Sequence, residues 1–123
     1  MNVILYGKSK ELSGVESVIK SITKAQNVPA FEHYPQARDY LACHDVDMML
    51  LDADDDAVGW QYLAGVFATI SKKTKIVLLS WNQDDAVRAY EAGVFDYLLK
   101  PVKKNQMERV MEKIMKKEKV EIA

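Results

Sequence analysis

The chain has 123 residues, with 17 basic and 18 acidic side chains and a hydrophobic content of 49%. This size suits one domain with its own apolar core, and the near-neutral charge argues against direct binding of nucleic acid. A single cysteine, Cys43, excludes an internal disulfide, and its helix-like surroundings predict a buried or half-buried thiol. No apolar run is long enough for a signal peptide or a membrane span, so we expect a cytoplasmic protein with no membrane partner.

Five short apolar runs, each of strand length, alternate with helix-like stretches along the chain. The runs are residues 3–6, 28–31, 48–51, 76–79 and 97–99. Continuous apolar strands are typical of a parallel sheet that is covered on both faces. Pro29 cannot donate to a strand ladder, so the second strand is placed at an edge. The pattern predicts an α/β fold, a flavodoxin-like (βα)5 doubly wound parallel sheet with strand order 2-1-3-4-5.

Five helices are predicted from apolar residues at helical spacing. Ser13 is expected to cap the first helix, and Pro35 suits the first turn of the second. Gly93 is expected to end the fourth. The predicted helices cover about residues 15–22, 36–43, 58–70, 84–92 and 103–117.

Polar residues follow four of the strands, where ligands bind in open parallel sheets. They are Gly7-Lys8, Asp52, Ser80 and Lys100-Pro101. An aspartate beside a hydroxyl and an ammonium suggests a carboxylate that accepts a phosphoryl group, with a donor and a cation next to it. The simpler interpretation is that Asp52 caps the third helix and Lys100 neutralises it, but three such residues on consecutive strands favour a site.

Three segments resemble the receiver domain of bacterial two-component response regulators, the CheY-like superfamily: LLD (50–52), IVLLS (76–80) and AGVFDYLLKP (92–101). The resemblance implies that Asp52 is the phosphoacceptor and that it receives the phosphoryl group from a histidine kinase or a phosphotransfer protein. It implies that Ser80 and Lys100 contact the phosphoryl group and that Tyr97 is a switch residue. It also implies a cis peptide bond between Lys100 and Pro101.

The chain departs from the family pattern at the end of strand 1 and after strand 4. The family has two acids at strand 1 that bind Mg²⁺, whereas this sequence has Gly7 and Lys8. We therefore expect a poor Mg²⁺ site, with Asp52 and Asp54 as the remaining ligands unless Asp55 or Asp56 turns inward. Lys8 is expected to lie within a few ångströms of Asp52 and Asp54 and to replace part of the metal's charge.

Trp81 stands where the family prefers a small residue, and we expect its bulk to hinder an inward swing of Tyr97.

Two functions remain open at this point, and neither is enzymatic. In one, Asp52 is phosphorylated and drives a charge switch; in the other, a phosphorylation-independent pseudo-receiver binds a partner or itself. The expected surface for self-association is helix 4, strand 5 and helix 5.

Gly7-Lys8-Ser9 resembles the end of a nucleotide-binding loop but lacks its glycine-rich turn, and no flavin loop is evident. We predict a receiver-like domain over residues 1–118 and a C-terminal tail or linker start at 119–123.

Overall fold

Five parallel strands form one sheet in the computed structural model, in the order β2-β1-β3-β4-β5. The structure describes residues 1–8, 10–24, 27–54 and 59–122, with side chains as far as residue 116. The strands are β1 (Val3–Tyr6), β2 (Ala30–Phe31), β3 (Met48–Asp52), β4 (Lys75–Ser80) and β5 (Asp96–Leu99). The predicted order and the edge position of the second strand are confirmed.

Five helices alternate with the strands and cover both faces of the sheet. They are α1 (Leu12–Thr23), α2 (Tyr34–Cys43), α3 (Trp60–Ile70), α4 (Asp85–Glu91) and α5 (Lys104–Ile122). Alternate side chains of β1 enter different cores: Leu5 packs with α1 and α5, and Ile4 packs with α2, α3 and α4. This two-sided burial explains why the strands are continuously apolar.

The first two helices differ in detail from the sequence predictions. Ser13 does not cap α1, since the helix begins at Leu12 and the Ser13 hydroxyl donates to the Lys10 carbonyl. Helix α2 begins two residues before the predicted start, with Pro35 in its first turn. Cys43 is exposed, so the prediction of a buried or half-buried thiol is wrong: at the last position of α2 its side chain lies on the solvent side.

The later helices follow the predictions more closely. Helix α3 is described from Trp60, and the earlier predicted start at Val58 lies outside the described residues. Gly93 adopts a φ of 77° two residues after the last residue of α4, as expected of a glycine that ends a helix. Helix α5 continues to Ile122, so the backbone of the predicted tail is helical as far as that residue. Among the described residues, no helix combines the length and apolar character needed to cross a membrane.

Candidate functional site

The three polar residues predicted from the strand ends are buried at one edge of the sheet. Asp52 is the last residue of β3, Ser80 is the last of β4, and Lys100 directly follows β5. In the sheet register Asp52 pairs with Leu79 and Ser80 with Leu99, which brings the carboxyl ends of the three strands side by side. Asp52 is only 1% exposed and Lys100 5%, so their charges interact in a largely dehydrated environment.

Three carboxylates converge on the Lys100 ammonium. Its Nζ lies 2.8 Å from Asp52 Oδ1, 3.0 Å from Asp54 Oδ2 and 3.1 Å from Glu11 Oε2. These acids come from the end of β3, from the loop that follows it and from the residue before α1. An ammonium has three N–H donors, so the three contacts match its full donor capacity.

Burial alone would lower the pKa of Lys100, because a low dielectric disfavours the charged amine. Hydrogen bonds to Asp52 and Asp54, the Asp52 charge and the hydrogen bond to Glu11 outweigh that effect. The net pKa is therefore raised, and Lys100 is a permanent cation at neutral pH.

This raised pKa predicts a loss of stability in alkali. Above about pH 10.4, the ordinary pKa of lysine, the unfolded chain releases the Lys100 proton while the folded chain still binds it. The free energy of unfolding should therefore fall as the pH rises above this value. At lower pH the folded protein should retain the full stabilisation that Lys100 contributes. Urea unfolding of the wild type and of Lys100→Met in this range measures the difference. If the free energy of unfolding fell with pH equally in the two proteins, the prediction would be contradicted.

Lys8 does not take the position predicted for it. Its side chain is exposed, and among the described ion pairs the lysine that contacts Asp52 and Asp54 is Lys100. Gly7, directly before Lys8, approaches Asp52 closely: a Cβ at Gly7 would stand 2.7 Å from Asp52 Cβ. The chain therefore turns away from the site directly after Gly7 and carries Lys8 to the surface.

Asp54 joins the site through its backbone and its side chain. Its backbone N–H donates to Asp52 Oδ1 over 2.9 Å, and its carboxylate accepts the backbone N–H of Trp81 over 3.1 Å. Asp54 thus connects the end of β3 with the start of the β4–α4 loop. Asp55 and Asp56, the other acids considered for the site, lie outside the described residues.

The Ser80 hydroxyl is engaged with α4. It donates to Asp85 Oδ2 over 2.6 Å and accepts the Asn82 backbone N–H over 2.9 Å. Asp85 in turn accepts from Arg88 over 2.9 Å. Asp54 Oδ1 is 3.5 Å from the same hydroxyl, at the limit of a hydrogen bond. In this arrangement the strongest contact of Ser80 points towards α4.

Tyr97, predicted as the switch residue, is half-buried on β5, and its hydroxyl donates to the Asn82 carbonyl over 2.8 Å. Burial raises the pKa of Tyr97, and the negative charges of Asp85 and Asp54 raise it further. The hydroxyl therefore stays protonated at neutral pH and ties β5 to the β4–α4 loop.

Trp81 lies beside Lys100 and Glu11. Its ring centre is 6.0 Å from Lys100 Nζ, and its indole N–H donates to Glu11 Oε2 over 3.1 Å. That Trp81 hinders an inward swing of Tyr97 stays a prediction.

Glu11 is a site residue that sequence reasoning missed. The resemblance implies acids at the end of β1, where this chain has Gly7 and Lys8. A carboxylate four residues after Gly7, just before α1, is a signal that could have been used, since the loop after β1 runs along the same edge as Asp52. Within the described part of the chain, no group of three or more His, Cys, Asp or Glu side chains is arranged to hold a metal ion.

Comparisons with known proteins agree with this architecture. The CheY-like receiver domain protein from Methanospirillum hungatei has a TM-score of 0.77 at 15% identity, covering 95% of each chain. The receiver domain from Bacteroides fragilis has a TM-score of 0.75 at 16% identity, covering 91% of this chain and 93% of that one. The response regulatory domain of protein mrkE from Klebsiella pneumoniae has a TM-score of 0.72 at 22% identity, covering 93% and 95%.

These structural likenesses show the fold, and the family follows from the sequence. No curated protein sequence matches this chain. A family model described as the response regulator receiver domain matches residues 9–112, which is most of the chain. The cis Lys100-Pro101 bond expected from the resemblance is present. The chain therefore belongs to the response regulator receiver domain family.

Proposed function

We propose that this receiver domain acts without phosphorylation of Asp52, as a module that binds another protein or a second copy of itself. The observation that carries this proposal is the Lys100 ammonium, which is shared among Asp52, Asp54 and Glu11. A carboxylate that attacks a phosphoryl group needs cations to offset the negative charge that accumulates there. Here the nearby cation is already bound to three carboxylates.

Mg²⁺ fits this site poorly. It needs several oxygen ligands in octahedral geometry. Gly7 offers no side chain, Lys8 is a cation, and the carboxylates of Asp52 and Asp54 both hold Lys100.

Weak Mg²⁺ binding is the expected result of a titration that follows tryptophan fluorescence. Trp81 lies beside the site, and the other tryptophan, Trp60, is buried in the core. Trp81→Phe serves as the control that assigns any signal to the site. Saturation at millimolar Mg²⁺ or below, lost in Trp81→Phe, would contradict the expectation.

Intact-mass spectrometry after incubation with acetyl phosphate and Mg²⁺ tests the proposed function. We expect no appreciable addition of a phosphoryl group to the wild type. Asp52→Asn is the matched control, since it removes the acceptor carboxylate and keeps the side-chain size. A near-stoichiometric phosphoryl gain in the wild type that is absent from Asp52→Asn would restore the alternative, a phosphorylation switch fed by a histidine kinase or a phosphotransfer protein.

An apolar patch on α4 supports the binding role. Val87 is 63% exposed and Tyr90 is 86% exposed, and their spacing of three residues places them on one side of the helix. A cleft beside them is lined by Val94, Phe95 and Tyr97. Adjacent exposed apolar side chains mark interaction surfaces in soluble proteins. This patch lies within the helix 4, strand 5 and helix 5 surface that the sequence predicts for self-association.

Weak self-association through this patch is expected in analytical ultracentrifugation. The predicted helix 4, strand 5 and helix 5 surface also carries exposed charged residues, namely Arg88, Glu91, Lys103, Lys104, Glu108 and Arg109. Such rim charges make the association sensitive to salt, while the apolar centre supplies the affinity. Tyr90→Ser should abolish the association, and Tyr62→Ser, which changes an exposed tyrosine on α3, should leave it intact. A strict monomer at all salt concentrations, or equal effects of the two variants, would contradict this prediction.

A further inference from the structure

Glu11 and Trp81 cover the Lys100 ammonium although both residues lie at the surface. The Lys100 side chain is 3% exposed, whereas that of Glu11 is 46% exposed. Trp81 is itself 51% exposed. The protection of Lys100 at this side therefore depends on a thin layer of surface groups rather than on the depth of the core.

One oxygen holds this layer together. Glu11 Oε2 is 3.1 Å from Lys100 Nζ and 3.1 Å from the indole nitrogen of Trp81. The same carboxylate thus joins the segment before α1, the loop after β4 and the residue after β5. The backbone N–H of Trp81 donates separately to Asp54 Oδ2 over 3.1 Å, and the centre of its indole ring lies 6.0 Å from Lys100 Nζ.

The chemistry of this oxygen matches that of an incoming oxyanion. A phosphoryl or carboxylate oxygen that entered the site would bind an ammonium and an N–H donor. Glu11 already occupies such a pair, the Lys100 ammonium and the Trp81 indole N–H. We propose that Glu11 is an internal anionic ligand that closes the site by an autoinhibitory contact with Lys100 and Trp81. This inference rests on the proposed function and names the residue that keeps external anions from Lys100.

Pulse labelling with an amine-acetylating reagent, read by peptide mass spectrometry, measures access to Lys100. In the wild type Lys100 should react far more slowly than Lys104, an exposed lysine at the start of α5. Glu11→Ala should raise the Lys100 labelling rate by about tenfold or more, the scale of one charge-assisted hydrogen bond. Glu11→Gln, which keeps the shape and removes the charge, should give a smaller increase.

Glu16→Ala is the matched control. It removes a glutamate of α1 that pairs with Lys20 over 3.0 Å, and it should leave the labelling of Lys100 unchanged. The indole N–H resonance of Trp81 in a ¹H–¹⁵N spectrum, assigned with Trp81→Phe, supplies a second measurement. It should shift in Glu11→Ala and stay in place in Glu16→Ala.

Unchanged Lys100 labelling in Glu11→Ala, or an equal increase in Glu16→Ala, would overturn the inference. The spectrum of each variant shows whether it is folded, so global unfolding is recognised by the loss of dispersion and by faster labelling of every lysine. Glu11→Gln then replaces Glu11→Ala as the deciding variant. The proposed function fails on a different result, phosphorylation of wild-type Asp52, whichever way the labelling experiment ends.

Discussion

Replacement of Lys100 by methionine should destabilise the fold by about 3–5 kcal/mol, the usual cost of removing one partner of a buried ion pair. The ammonium contacts Asp52, whose side chain has no exposed surface, together with Asp54 and Glu11. Without it, three carboxylates face one another at the end of the sheet, and Asp52 has lost its buried cation. Urea unfolding at neutral pH measures the change as a lower midpoint.

A second substitution separates this ion pair from simple packing loss. Asp52→Asn removes the buried negative charge, so Lys100→Met combined with Asp52→Asn should recover much of the stability lost in Lys100→Met. The coupling free energy follows from the double-mutant cycle. Lys8→Met is the matched control, because Lys8 is exposed, and its effect should stay within about 0.5 kcal/mol. A coupling of zero between Lys100 and Asp52 would contradict this account.

The strand ends were predictable because they depend on local pattern. A buried parallel strand is continuously apolar, so the polar residue that follows it marks the edge of the sheet, and this placed Asp52, Ser80 and Lys100 correctly. Pro29 likewise identified the edge strand, since it cannot donate to a ladder. The place of each of these residues relative to the sheet therefore follows largely from the local sequence pattern.

The contacts within the site were less predictable because several side chains could reach the same groups. Two lysines, Lys8 and Lys100, were near Asp52 in the predicted topology, and the path of the chain after Gly7 decided between them. Glu11 reaches the site only because α1 begins where it does. The Ser80 hydroxyl had a choice of acceptors, and its 2.6 Å bond to Asp85 depends on where α4 starts.

Gly7→Ala should be the other strongly destabilising substitution, by about 2–5 kcal/mol, from backbone strain and overpacking together. Gly7 has a φ of 153°, a conformation that residues with a Cβ rarely adopt. The added Cβ would lie 2.7 Å from Asp52 Cβ and 3.1 Å from Leu12 Cδ1. Both neighbours are buried, so neither can move aside cheaply.

Gly7→Asp tests the same contact while it restores an acid to the end of β1. We expect it to be at least as destabilising as Gly7→Ala, and to gain no tight Mg²⁺ binding, because the backbone must shift before the new carboxylate can enter the site. Gly65→Ala is the matched control: no atom lies within 4 Å of its added Cβ, and alanine favours the helix by about 0.5–1 kcal/mol. In thermal and urea unfolding, the free energies of unfolding of the two Gly7 variants should therefore lie several kcal/mol below that of Gly65→Ala. If Gly7→Ala were as stable as the wild type, the close approach of β1 to Asp52 would not constrain this position.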